Sequence, residues 1–120
     1  MKNVLIVDDS KTILKTAKLI LQDMYESYMA NSGNMALDIL EKKEIDIVLM
    51  DVDMPEMDGI ETVRKIRNMD KVKDIPVVFF TALDSPEVVS KCKEVGMEGY
   101  VLKPYRPEEL IDTIKAVLHE

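Results

Sequence analysis

The chain has 120 residues, 47% of them hydrophobic and 32% charged, with a formal net charge of −7; that is enough for one self-sustaining core and leaves no room for a second domain. The acidic balance opposes nucleic-acid binding by this domain alone, which relies on Lys and Arg neutralising phosphates, and a single cysteine, Cys92, excludes an internal disulfide. No apolar run approaches the roughly 20 residues of a membrane span, and the apolar stretch after Met1 is too short for a signal peptide, so a cytoplasmic protein without a membrane partner is expected.

Val4 to Val7 is a short β-branched run that stops at Asp8-Asp9, and Ser10 then offers an N-cap. From Lys11 onward Ile13, Leu14, Ala17, Ile20, Leu21 and Met24 recur at helical spacing, with Lys11, Lys15 and Lys18 elsewhere on the wheel. Tyr25 to Ala30 is a weaker, more polar strand, which suits a sheet edge. Asn31 to Asn34 reads as loop, and Met35, Ala36, Ile39 and Leu40 start a second helix that ends near Lys42-Lys43.

Ile47 to Met50 is an apolar run that delivers one carboxylate, Asp51, to a strand exit, and Pro55 and Asp58-Gly59 end the loop that follows. Asp58 and Glu61 stand three apart like a capping box at the start of a helix whose Ile60, Val63 and Ile66 face inward. Ile75 to Thr81 is the fourth strand; Ser85-Pro86-Glu87 then supplies a cap, an N1 proline and an acid, and Gly96 closes that helix. Tyr100 to Lys103 is a fifth strand stopped by Pro104, and Pro107 to Leu118 is the last helix, with the poor capper Arg106 in front of it. His119, the only histidine, is placed in that helix's last turn as a cation-capable side chain, and a His-rich zinc site is excluded. Cys92 falls in register with Val88 and Val95 and reads as packing, as do most of the nine methionines.

Strand and helix alternate five times with short connections, which predicts an α/β fold: a doubly wound parallel sheet of five strands with five helices over both faces. Polar groups at the carboxyl ends of such strands are where open α/β sheets bind ligands. Here those groups are Asp8, Asp9, Asp51, Thr81 and Lys103. Three acids and one ammonium leave a formal −2, which one Mg²⁺ would balance, and Mg²⁺ suits oxygen ligands. A carboxylate that attacks phosphorus forms an aspartyl phosphate, and Lys103 and the Thr81 hydroxyl could meet the charge developing on the phosphoryl oxygens.

Val7-Asp8-Asp9, the Asp51 of Leu-Met-Asp-Val-Asp-Met-Pro-Glu-Met-Asp-Gly, Thr81-Ala82 and Lys103-Pro104 together resemble the signature of response-regulator receiver domains, the chemotaxis-regulator-like group. The resemblance covers essentially residues 1–120 in order and spacing. It implies a flavodoxin-like sheet in order 2-1-3-4-5 and phosphoryl transfer from a histidine kinase or phosphotransfer protein to Asp51. It also implies Mg²⁺ held directly by Asp9 and Asp51, through water by Asp8, and by the backbone carbonyl of Asp53, with a cis bond between Lys103 and Pro104. Tyr100 occupies the switch-aromatic position. On this resemblance Thr81 moves toward the phosphoryl group and Tyr100 turns inward, re-forming the face of the fourth helix, fifth strand and fifth helix for a downstream protein. Such a chain is a phosphoacceptor switch that catalyses only its own phosphorylation and dephosphorylation, as a monomer or a phosphorylation-dependent dimer. Two other readings stand beside it. Asp51-Val52-Asp53 also resembles the nucleophile motif of haloacid-dehalogenase phosphatases, in which, however, the nucleophile strand precedes the acidic pair. A pseudo-receiver, a binding module without phosphorylation, would show no Mg²⁺ binding.

Overall fold

A computed structural model describes all 120 residues. The elements follow as β1 (Asn3–Val7), α1 (Lys11–Leu21), β2 (Glu26–Ala30), α2 (Gly33–Lys42), β3 (Ile47–Met50), α3 (Gly59–Ile66), β4 (Val77–Thr81), α4 (Pro86–Val95), β5 (Gly99–Leu102) and α5 (Pro107–Val117). The strands form one parallel sheet in the order β2-β1-β3-β4-β5, the doubly wound, flavodoxin-like arrangement expected. No helix is long and apolar enough to cross a membrane.

Side chains of the three inner strands alternate between two cores, which is why their sequences read as unbroken apolar runs. Leu5, Val7, Val48, Met50, Val77 and Phe79 pack with Ala36, Leu40, Val63, Ile66 and Cys92 under α2, α3 and α4. Val4, Ile6, Ile47, Leu49, Val78 and Phe80 pack with Leu14, Ala17, Leu21, Leu110 and Ile114 under α1 and α5. Edge strand β2 is half-buried over most of its length, as its polar composition predicts.

Several boundaries differ from the sequence reading, each for a local reason. α1 stops at Leu21, whose carbonyl accepts from both Met24 and Tyr25, so Met24 lies in a turn. α2 begins two residues before Met35, because the Ser32 hydroxyl caps it by accepting from Met35 N at 3.1 Å. Gly33 is tolerated at that helix start because the backbone presses on α3: a Cβ there would lie 2.2 Å from Thr62 Oγ1. Ile75 and Pro76 stay outside β4, and Arg67 rather than a ladder partner donates to the Ile75 carbonyl, at 2.6 Å. The capping box at α3 is half formed: Asp58 accepts from Glu61 N at 2.8 Å, but the Glu61 carboxylate turns to Arg64 at 2.5 Å. His119 sits beyond the last helical turn, with φ 59.

Candidate functional site at the carboxyl ends of the strands

Strand register brings the acids together. Val7 lies opposite Met50, so one step further Asp8 and Asp51 emerge side by side, each tied to the sheet by its own amide: Asp8 N donates to Ala30 O at 3.1 Å and Asp51 N to Val7 O at 2.9 Å. Thr81 lies opposite Leu102, and Lys103 N donates back to Thr81 O at 2.9 Å, which carries the lysine to the same edge. Carboxylate oxygens of Asp8, Asp9 and Asp51 fall within 4.8 Å of one another, with Asp8 and Asp51 buried and Asp9 exposed.

Lys103 bridges two of the acids: Nζ is 2.5 Å from Asp8 Oδ2 and 3.4 Å from Asp51 Oδ1. The other Asp8 oxygen accepts from Ser10 N at 2.9 Å, and Ser10 in turn caps α1 through Ile13 N. Asp51 lacks a comparable set of donors. Burial and the neighbouring Asp8 carboxylate push it up to about 6 against the pull of Lys103. A carboxylate held close to a second one and out of water titrates late because its charged form is the costly one.

Thr81 is fully buried, and its hydroxyl accepts from Leu83 N at 3.2 Å. The Leu83 carbonyl in turn accepts from the half-buried Tyr100 hydroxyl, so residues 81 to 83 hang between the two side chains singled out as the switch. Asp53 lies in the loop after β3 with its side chain exposed, outside the carboxylate cluster. The Lys103–Pro104 peptide is cis. Cys92 and His119 lie apart from the cluster, Cys92 on the buried face of α4 and His119 beyond α5.

Two contributors escape sequence reasoning. Gly59 lets α3 start directly against the site: its N donates to Val52 O at 2.8 Å, and a Cβ would sit 2.0 Å from the Asp51 carbonyl oxygen. The Asp-Gly pair signals a turn but not this approach. Phe80 places its ring under Lys103, a partnership visible only once strand register is known. At Arg106 no side-chain cap forms; the Glu109 carboxylate reaches back to Arg106 N at 3.4 Å instead.

The donor set fits a hard divalent cation. It offers oxygens only, carries a net −2 after Lys103 is counted, and has one exposed member through which water could complete the coordination.

The family described as response regulator receiver domain matches residues 4–115. The CAI-1 autoinducer sensor kinase/phosphatase CqsS of Vibrio cholerae is 36% identical over 117 residues, covering 96% of this chain and 17% of that protein, so the chain spans about a sixth of its length. Among solved structures, Vibrio cholerae chemotaxis protein CheY4 is 38% identical with a TM-score of 0.93, covering 98% of each chain. The BeF3-activated receiver domain of DrrB, a Thermotoga maritima protein, is 31% identical with a TM-score of 0.89, covering 100% of this chain and 99% of that one. Likeness of this extent, in sequence and in backbone alike, makes the chain a member of the response regulator receiver domains of two-component signalling.

Proposed function

We propose that the chain receives a phosphoryl group on Asp51 from a histidine kinase or phosphotransfer protein and changes a partner-binding face in response. The observation that carries this reading is the Asp51 carboxylate itself: buried, short of donors, beside two more acids, with an ammonium 3.4 Å away. In the reaction an Asp51 oxygen attacks phosphorus, the bond from phosphorus to the donor nitrogen breaks, and that nitrogen keeps the electron pair and takes up a proton. Lys103 and the Thr81 hydroxyl meet charge on the phosphoryl oxygens, a role that preorganised donors fill without reorganisation. Asp9 and Asp51 would hold Mg²⁺ directly, Asp8 through water, and Asp53 through its main-chain carbonyl; bound there, the ion screens the repulsion between Asp51 and the incoming group. Loss of the group is the matching hydrolysis: water adds to phosphorus, the bond to Asp51 breaks, and inorganic phosphate departs.

The switch follows from the pair of hydrogen bonds around Leu83. A phosphoryl group that draws the Thr81 hydroxyl away from Leu83 N frees the 81–83 segment, and Tyr100, bonded to the same residue's carbonyl, responds with it. The surface so altered is that of α4, β5 and α5, and its reader is a downstream protein. That a similar receiver, DrrB, is known in a beryllofluoride-activated form supports this reading, because beryllofluoride has the tetrahedral shape and charge of a phosphoryl group.

The test is intact-mass measurement with Mg²⁺ and acetyl phosphate. One phosphoryl group is expected on the native chain and none on Asp51→Asn. A folded native chain that stays unlabelled would favour a pseudo-receiver, and labelling that persists in Asp51→Asn would move the acceptor elsewhere.

A further inference from the structure

Under the Lys103 ammonium lies the face of an aromatic ring. Nζ is 4.7 Å from the centroid of Phe80, a fully buried residue of β4 on the α1–α5 side of the sheet. Tyr105 packs against the same ring, tilted by 34° with centroids 6.4 Å apart, and so braces it. The Lys103 side chain is only 16% exposed, and a cation over an aromatic face gains most where water is excluded.

The two carboxylates that hold Lys103, Asp8 at 2.5 Å and Asp51 at 3.4 Å, are also the ones that a divalent cation or a phosphoryl group would engage. Lysine is a point charge on a flexible stem and has no geometry of its own to keep it in place. Once its acidic partners turn to other ligands, the ring is the one attractive surface left beside it that a hard, oxygen-seeking cation does not compete for. Its neighbour Phe79 faces the opposite core, so the two adjacent phenylalanines are not equivalent.

We propose that Phe80 is a positioning residue for phosphoryl transfer: the face of its ring keeps the Lys103 ammonium at the Asp51 edge of the pocket while the carboxylates are engaged by other groups. The proposal rests on the reading of Asp51 as acceptor and Lys103 as the group that meets phosphoryl charge. A ring that acted only as filler would be indifferent to its own charge distribution, whereas a ring that holds a cation would not.

The experiment replaces Phe80 in the full chain with phenylalanine bearing one, two and three ring fluorines, which drain the negative face while nearly conserving shape. Two quantities are read: the rate of Asp51 labelling by acetyl phosphate with Mg²⁺, and the proton shift of the Lys103 ε-methylene, which the ring moves upfield, before and after Mg²⁺ is added without phosphate. The labelling rate is expected to fall stepwise, by about tenfold in total, and to respond to none of the fluorines in a Lys103→Met background. The upfield shift should survive Mg²⁺ in the native chain and collapse in the trifluorinated one. A flat fluorine series in a chain that labels at Asp51 would overturn the role of Phe80 and leave the acceptor reading standing. An equal fall in the Lys103→Met background, or loss of the shift when Mg²⁺ is added to the native chain, would overturn it too. Absence of labelling from the native chain would remove both readings together.

Discussion

The two ends of the sheet treat charge in opposite ways. At the amino-terminal end Arg67 is saturated: its guanidinium donates to the carbonyls of Val95, Lys73, Ile75 and Gly96 and reaches Glu98, whose Oε1 also accepts from Val77 N at 2.7 Å. At the carboxyl-terminal end Lys103 serves two carboxylates at once, and a third acid stands beside them. The first arrangement ties three separate segments, the end of α3, residues 73–77 and residues 95–98, into one body. The second leaves repulsion that a ligand can relieve, and the contrast shows how one fold fixes its base while keeping its reactive edge responsive.

Four measurements would sharpen or break this contrast. Gly59→Ala should destabilise the chain by more than about 3 kcal/mol in denaturant unfolding, because the new methyl meets backbone rather than a movable side chain. A small loss would mean that the reactive edge yields more easily than its close packing suggests.

The second measurement concerns pH. Asp51 is raised in the fold from 3.8 to about 6, so the folded chain holds a proton that the unfolded chain has already released. Stability of the metal-free protein should therefore fall as pH rises through the window from about 4 to 6, by roughly 3 kcal/mol. Mg²⁺ or Asp51→Asn should flatten that decline, and a metal-free stability that rises across the same window would contradict it.

At the other end Arg67→Ala should cost about 2 kcal/mol by stranding several carbonyls, while Asp51 labelling proceeds as in the native chain. Impaired labelling there would mean that the two ends are not independent. Smallest is Arg106→Ser, which supplies the missing N-cap of α5 and should raise stability by about 1 kcal/mol. The exposed pairs Arg106 makes with Glu108 and Glu109, at 3.9 and 3.6 Å, contribute little against that gain.

What sequence reading captured, and what it missed, divides along the same line. Asp8, Asp51 and Lys103 were legible because each stands where an apolar run ends, and parallel strands must bring such exits to one edge. Arg67 was not, because its partners are mostly main-chain carbonyls from segments far apart in the chain, and a carbonyl leaves no mark in a sequence. Phe80 was hidden for another reason: it and Phe79 differ only in which face they take, and that depends on register. The helix starts at Ser10, Asp58 and Ser85 were readable from cap chemistry, while Gly33, which reads locally as loop, sits inside α2 where a side chain would collide with Thr62, a closeness between distant residues that no local pattern announces.

Both termini meet at the base of the sheet, where Lys2 Nζ lies 3.5 Å from Glu120 Oε2 and the Tyr25 hydroxyl donates to Glu120 Oε1 at 2.8 Å. A peptide spliced onto either terminus would therefore emerge pointing away from Asp51. Tethering a fluorophore, a tag or a second protein module there would leave the acidic mouth uncovered, and a short linker joining the two termini would make the chain a natural scaffold for circular permutation.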